Sequence, residues 1–449
     1  MPVPEKIVLI GAGLTGPLLA TYLAKRGFNV EIFERRPDMR KTPINAGRSI
    51  NLAVSLRGIH ALKEVGLFNN IKNILIPMKG RIIHDLNGST RFLPYGQDDK
   101  EVINSVSRSE LNMRLINLAE KTDKVTIHFI QRCLGMDFKK KIISFINETS
   151  KEKIYLESDC VIGTDGSASV LRDSMGNIEG HTEEYFPLGH GYKELSIPAD
   201  DNGNYKMEPH ALHIWPRGNY MLIALPNQDC SFTCTLFFPM KGNVSFKSLK
   251  TISHIASFFE EQFPDVIDLM PNVVHQYISY PTSTLGTVRS EPWNVDDLAL
   301  IIGDAAHAIV PFFGQGMNAA FEDCTIFNAM MDDYSGEWKK MFSDFSKKRK
   351  KDTDAIADMA IENYIEMRDL VNDPDFLLAK EIERKLEEKF PEKFIPRYSM
   401  VSFHRIPYAE VYARGQKQTA IVNELMKNLN QVKDLDMERA TELMADYEI

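Results

Sequence analysis

The chain opens with a short apolar run, Ile7 to Ile10, that ends at a glycine. A run of that length closed by a turn signal fits a buried strand. Residues 17–26 then place apolar side chains at helical spacing, Gly27 stops the pattern, and residues 29–34 return to a strand. Strand, glycine turn, helix and strand in that order form a βαβ unit of Rossmann type. Residues 55–65 and 109–120 carry helical periodicity. Residues 124–156 read as short strands with turns, with clear alternation in KIISFIN. Another buried strand over 159–162 runs into Gly163-Thr164-Asp165-Gly166. The stretch from 186 to 280 is rich in strand pattern, as in ALHIW, YMLIAL and FTCTLFF. A last buried strand over 298–302 meets Gly303-Asp304, and beyond 318 the chain is largely helical.

Strands suited to one sheet thus lie on both sides of a β-rich insertion. The pattern predicts an α/β protein with a discontinuous Rossmann-like domain over 1–75, 108–185 and 281–370. A β-sheet domain over 76–107 and 186–280 forms a second layer, and 371–449 a helical C-terminal region. A ligand cleft is expected at the junction of the layers.

The first chemical signal is the turn Gly11-Ala12-Gly13-Leu14-Thr15-Gly16. Gly11 permits the tight turn, Gly13 lets a pyrophosphate approach the backbone, and Gly16 lets helix and sheet pack closely. The helix N-terminus offers free N–H groups to the phosphates. Glu34 ends the second strand, where a carboxylate accepts hydrogen bonds from ribose hydroxyls and would repel a 2′-phosphate. These residues predict a bound dinucleotide without separating FAD from NAD.

The second signal is LALIIGDAAHAIVPFFGQGMN, residues 298–318. A strand delivers Asp304, and Pro311, Gly314 and Gly316 then shape an open loop before a helix starting near Met317. Asp304 can bond a ribityl hydroxyl. The N–H groups of Met317 and Asn318 suit the electron-rich pyrimidine edge of a reduced flavin. This decides for FAD, although Asp304 taken alone also reads as a helix cap. Asp165 could touch the flavin chain or a nicotinamide donor, and alone reads equally as a turn aspartate. His307 reads as a packed helix residue rather than an imidazole beside a flavin.

Composition narrows the field. The net charge of −9 over 449 residues argues against nucleic acid as a partner. The basic run SKKRKKD, residues 346–352, reads as a solvated helix face. No stretch approaches the ~20 apolar residues of a membrane helix, and no secretory leader precedes the five cysteines, which read as reduced thiols. Cys230 and Cys234 are expected on one strand face. No metal motif occurs. The expected location is the cytoplasm.

The glycine turn with Glu34, the Asp165-Gly166 turn and Gly303-Asp304 stand in the order found in single-component flavin monooxygenases of the p-hydroxybenzoate hydroxylase type. GRSINLAVSLRG, PYGQDDKEVINSVSR, GHGYKEL, ALHIWPRGNYMLIALPN, VPFFGQGMNAAFEDC, ENYIEM and FIPRYSM resemble the kynurenine 3-monooxygenase family more closely, from about residue 6 to 415. The resemblance implies that L-kynurenine, NADPH and O2 give 3-hydroxykynurenine through an oxygen adduct at C4a of bound FAD, in tryptophan catabolism by the kynurenine pathway. It implies a substrate-carboxylate pair in Arg81 and Tyr95, further substrate contacts in Asn363, Met367 and Tyr398, and a ring pocket of Leu212, Ile223, Leu225, Phe237 and Phe312. It also implies FAD contacts at Arg108 and, more weakly, at Leu14, Arg36, Ala53 and Leu134. On pattern alone Arg81 is a surface strand residue, Asn363 a polar helix residue and the apolar set plain core. Animal and fungal members carry a C-terminal membrane helix that does not occur in this sequence, so the resemblance points to the soluble bacterial type, expected as a monomer or homodimer. The competing expectations are a flavin hydroxylase of another aromatic amine or acid, and a flavin-binding interaction protein without turnover.

Overall fold

The computed structural model describes residues 5–41, 51–96, 100–370, 373–427, 429, 431–445 and 447. Parts of two family motifs, residues 47–50 and 97–99, lie outside the described residues. A six-stranded sheet orders its strands as Asn294–Val295, Ala299–Ile301, Val161–Gly163, Lys6–Ile10, Asn29–Phe33 and Val125–His128. All neighbours pair parallel except the first two. Strands covered on both faces need apolar residues throughout, and Ile7, Val8, Leu9, Ile162, Leu300 and Ile301 are fully buried. The helices Thr15–Lys25 and Arg108–Glu120 pack beside this sheet, and its crossover order places the glycine turn at the carboxyl ends of the strands. The expected α/β architecture with a discontinuous cofactor domain is present.

A seven-stranded sheet forms the second layer. Its order is Thr282–Glu291, Thr182–Ile197, Phe232–Pro239, Met221–Pro226, Ala211–Pro216, Gly80–His84 and Thr90–Pro94. Only Ala211–Pro216 and Gly80–His84 pair parallel. Asn51–Val54, Ile103–Ser107 and Ile76–Met78 form a small antiparallel sheet of their own. Strand pattern over 186–280 holds only as far as Pro239. Beyond it stand three helices, Ile252–Gln262, Pro264–Leu269 and Val273–Ser279. Ile255, Phe258 and Phe259 are spaced three and four apart, the helical period, and are buried. Cys230 is not on the strand face either: it sits in the preceding turn with φ 63°.

Alternation gives the sheet two faces. One carries Trp215, Leu222, Leu236 and Phe238, all fully buried under those three helices. The other carries Arg81, Leu212, Ile223, Leu225 and Phe237, and looks toward Phe312, Tyr364, Met367 and Tyr398. The C-terminal helix Tyr408–Met426 packs along Trp338–Ile365, and the short helix Arg397–Phe403 lies against it. No helix among the described residues is long and apolar enough to cross a membrane.

Candidate active site

Gly11 has φ 97°, and its N–H donates to the Phe33 carbonyl at 2.8 Å. A Cβ at Gly11 would stand 2.7 Å from the Thr164 oxygen, and one at Gly16 2.1 Å from the Gly11 oxygen. Neither place admits a side chain. At Gly13 a Cβ would meet nothing within 4 Å, which is the open approach a pyrophosphate requires. Leu14 caps the helix Thr15–Lys25 without a side-chain hydrogen bond, so the first helical N–H groups are left for an anion. Glu34 is buried and accepts from the Ala12 N–H at 2.8 Å and from the Arg36 N–H and Nε at 2.9 and 2.8 Å. Burial alone would raise its carboxyl, but the Arg36 side chain and these N–H groups hold it below the ordinary value. Arg36 itself is exposed. Arg108 is an exposed residue directly after the strand that pairs with the Ala53 strand, and Leu134 is half-buried on Gln131–Asp137.

The residues expected at the far end of a flavin lie on three segments. Asp165 accepts from the Val170 N–H at 2.8 Å, while its Oδ1 is buried without a partner, and burial raises its carboxyl. Asp304 opens the short helix Asp304–His307 after Gly303, whose φ of 65° makes the sharp turn. The Asn318 side chain donates to the carbonyls of Ala53 and Gly314, both at 2.8 Å, and accepts from the Ser55 N–H at 3.0 Å. It thereby fastens the Ala53 loop to the glycine loop. The helix Gly316–Tyr334 makes its first bond from Ala319 to Gln315, so the N–H groups of Met317 and Asn318 precede the ladder. The open space at Gly13, the partnerless Asp165 oxygen and these N–H groups fit an extended anionic dinucleotide with a polar ring edge.

The expected substrate residues also come together. Arg81 lies next to Leu212 across the sheet, and its guanidinium stands 4.7 Å over the Tyr398 ring and 5.5 Å from the Tyr95 ring. Tyr95 and Tyr398 are stacked, with ring centroids 5.1 Å apart at 11°. Arg81 Nε and the Tyr95 hydroxyl are buried and complete no hydrogen bond of good geometry. Burial pushes the Tyr95 phenol well above its ordinary value, the Tyr398 phenol adds to this and Arg81 opposes it, so Tyr95 stays an O–H donor. Leu212, Ile223 and Tyr398 border two separate apolar clusters, one around Phe237, Phe312 and Met367 and one around Tyr95 and Leu225. The seam between those clusters therefore passes through the expected pocket. Phe237 and Phe312 meet at 4.8 Å between ring centroids. Asn363 donates to the Phe312 carbonyl at 2.6 Å, and its Nδ2 lies 3.3 Å from the Met367 sulfur. Met367 stands in a π-helical turn, Glu366–Leu370, that widens the end of the preceding helix.

Sequence reading missed a chain of buried charges behind this site. His307 does have a carboxylate partner: Asp323, sixteen positions on, reaches its Nε2 at 2.6 Å. Asp323 also accepts from the Gly303 N–H at 3.0 Å and from Arg349 Nε at 2.7 Å. Burial would raise its carboxyl, yet His307 and Arg349 hold it below the ordinary value. Arg349 belongs to the basic run expected to be solvated, but it is completely buried. Arg57 pairs with Glu322 at 2.5 and 2.7 Å. The available signal was acidic residues inside an otherwise apolar helix, FEDC.

A family model described as an FAD binding domain matches residues 5–216 and 266–344. The chain is 48% identical over 440 residues to a kynurenine 3-monooxygenase of Myxococcus xanthus, covering 98% of this chain and 95% of that one. It is 42% identical over 457 residues to a kynurenine 3-monooxygenase of Dictyostelium discoideum, covering 99% and 98%. In structure it is similar to tetrameric 2-methyl-3-hydroxypyridine-5-carboxylic acid oxygenase, with a TM-score of 0.64 at 17% identity over 84% of this chain and 95% of that one. That last likeness speaks for the fold alone. The near-full-length identity speaks for more, and the chain belongs to the kynurenine 3-monooxygenase family of FAD-binding monooxygenases.

Proposed function

We propose that this protein hydroxylates L-kynurenine to 3-hydroxykynurenine, with FAD bound and NADPH and O2 as cosubstrates. What carries the reading, within the family, is the Arg81–Tyr95–Tyr398 corner at the seam between two apolar clusters. A cationic fork and a phenol with unspent hydrogen-bonding capacity match an amino-acid carboxylate. The apolar seam beside them matches an aromatic ring.

Bound FAD would supply the hydride acceptor and the place where O2 is activated. Glu34 would hold the ribose, Asp304 and Asp165 the chain, and the N–H groups of Met317 and Asn318 the pyrimidine edge, with Leu14, Arg36, Ala53, Arg108 and Leu134 flanking. Arg81 and Tyr95 would fix the substrate carboxylate and Tyr398 would close over it. Leu212, Ile223, Leu225, Phe237 and Phe312 would clamp the ring and exclude water from the oxygen-transfer step. Asn363 holds the backbone under Phe312 and so sets the pocket depth. The substrate is an aniline whose amino group already directs attack to the ortho carbon, so the protein needs to orient and shield rather than to abstract a proton.

The test is NADPH consumption by the FAD-loaded enzyme with and without L-kynurenine, with the product identified by mass. Substrate-dependent oxidation with a gain of one oxygen is expected. Absence of any kynurenine-dependent oxidation overturns the proposal.

A further inference from the structure

Arg57 is a fully buried charged side chain that the proposed chemistry leaves unused. It is 1% exposed, on the helix Leu56–Glu64. Its Nη1 donates to both oxygens of Glu322, at 2.5 and 2.7 Å, on the helix Gly316–Tyr334 that opens on the flavin end. Its other two nitrogens serve the C-terminal region instead. Nη2 donates to the Ile406 carbonyl and Nε to the Val401 carbonyl at 3.4 Å. The guanidinium carbon lies 3.9 Å over the Tyr408 ring, and the Tyr408 hydroxyl donates at 2.9 Å to Gln315, the residue that precedes the flavin-end helix.

One side chain therefore grips residues 401, 406 and 408 and holds them to Glu322. Val401 sits on the same seven-residue helix as Tyr398, Arg397–Phe403. A second tie runs parallel: Arg349 bonds Asp323 and Asp352, and Asp352 accepts from the Ala409 N–H at 3.1 Å. Arg349 also stands 3.5 Å from Glu322, so both ties converge on the adjacent pair Glu322 and Asp323. Asp323 in turn fixes the Gly303 N–H at the Asp304 turn. A buried guanidinium that spreads its donors over a carboxylate and two carbonyls has one low-energy geometry, and so do the segments it joins.

We propose that Arg57 is a positioning residue that sets Tyr398 against the substrate by anchoring the C-terminal segment to the flavin-end helix. Kynurenine binding and productive use of the flavin are thereby coupled through Arg57–Glu322. The inference rests on the hydroxylase reading and on Tyr398 as a substrate wall. Arg57→Lys keeps the charge but cannot span Glu322, Val401 and Ile406 together.

In the FAD-loaded Arg57→Lys enzyme, the kynurenine KM is expected to rise roughly tenfold, the effect of one charge-assisted contact. A larger share of NADPH turnover should end as hydrogen peroxide, while FAD content stays at the wild-type level. In a Tyr398→Ala background the same change should add little to KM, because the wall it positions is already gone. An unchanged KM and peroxide share with a lowered Tm, or a KM effect fully additive with Tyr398→Ala, overturns the proposal. Tyr408→Phe deletes only the bond to Gln315 and keeps the buried ion pair. It should show the same non-additivity at smaller amplitude and decides the matter if Arg57→Lys does not fold. Wild-type kynurenine turnover is measured beside the variants, so failure of the coupling is separated from failure of the hydroxylase reading.

Discussion

The two faces of the seven-stranded sheet are built from the same alternating strands and end in opposite states. On the helix-covered face, Trp215, Leu222, Leu236 and Phe238 are fully buried. The imidazoles among them spend both nitrogens: His84 reaches Asp265 at 3.0 Å and His213 at 2.8 Å, and His213 reaches the Glu208 carbonyl at 2.8 Å. On the opposite face Leu212 and Ile223 are only partly buried. The Arg81 Nε and the neighbouring Tyr95 hydroxyl complete no hydrogen bond of good geometry. Buried polar groups are normally paired, and leaving one unpaired costs free energy. One face is closed by three helices of the protein itself; the other is the face proposed to receive the substrate.

The largest expected separation of the two faces is in stability. Phe238→Ala should lower the unfolding free energy by about 3–5 kcal/mol, read by denaturant unfolding of the FAD-loaded enzyme, with the kynurenine KM unchanged. A KM that moves in step would join the faces rather than separate them. Next comes pH. Burial pulls the His213 imidazole down to about 4, against the help of the Glu208 backbone. The unfolded chain takes up that proton near the ordinary ~6.5, so between these values the unfolded state binds more protons. Stability should therefore fall as pH drops through this window, by on the order of 3 kcal/mol when complete. His213→Gln should flatten that slope in unfolding curves taken from pH 7 to 5.

On the opposite face the expected effects fall on binding rather than on stability. Arg81→Ala should weaken kynurenine by about 2–3 kcal/mol, seen as a raised KM with FAD retained. Wild-type kinetics in that variant would remove Arg81 from the carboxylate corner. The smallest effect is expected from Tyr95→Phe, about 1 kcal/mol of binding. Because that hydroxyl makes no hydrogen bond of good geometry in the free protein, Tm should hold or rise slightly. A drop in Tm would mean that the hydroxyl is satisfied without substrate.

Legibility in the sequence follows locality. The glycine turn, Glu34 and the Asp304 loop each lie within one short segment, and their residue types are forced by backbone geometry, as the crowded Gly16 and the open Gly13 illustrate. The carboxylate corner was legible only through family motifs, since positions 81, 95 and 398 share no local pattern. The three helices over 252–279 were obscured by the strand pattern around them, although Ile255, Phe258 and Phe259 carry the helical period. The charge chain was least legible of all. Asp323 and Arg349 meet across two long helices, and one of them sits in a run of lysines that reads as a solvated surface.

The strand order of the cofactor sheet has a consequence for synthesis. Val161–Gly163 acquires its neighbour Ala299–Ile301 only after 299 residues have been made. Until then the edge of the Val161–Gly163 strand, buried in the finished fold, stands open with its N–H and C=O groups unpaired. The phosphate turn at Gly11–Gly16 is translated first, but Asp304 and the Met317 N–H arrive in the last third of the chain, and Tyr398 later still. A nascent chain can thus offer a place for the adenosine end long before it can hold the ring. The open edge is covered only when Ala299–Ile301 has been made, in the same stretch of chain that supplies the Asp304 turn, so the sheet and the far end of the proposed cofactor site are completed together.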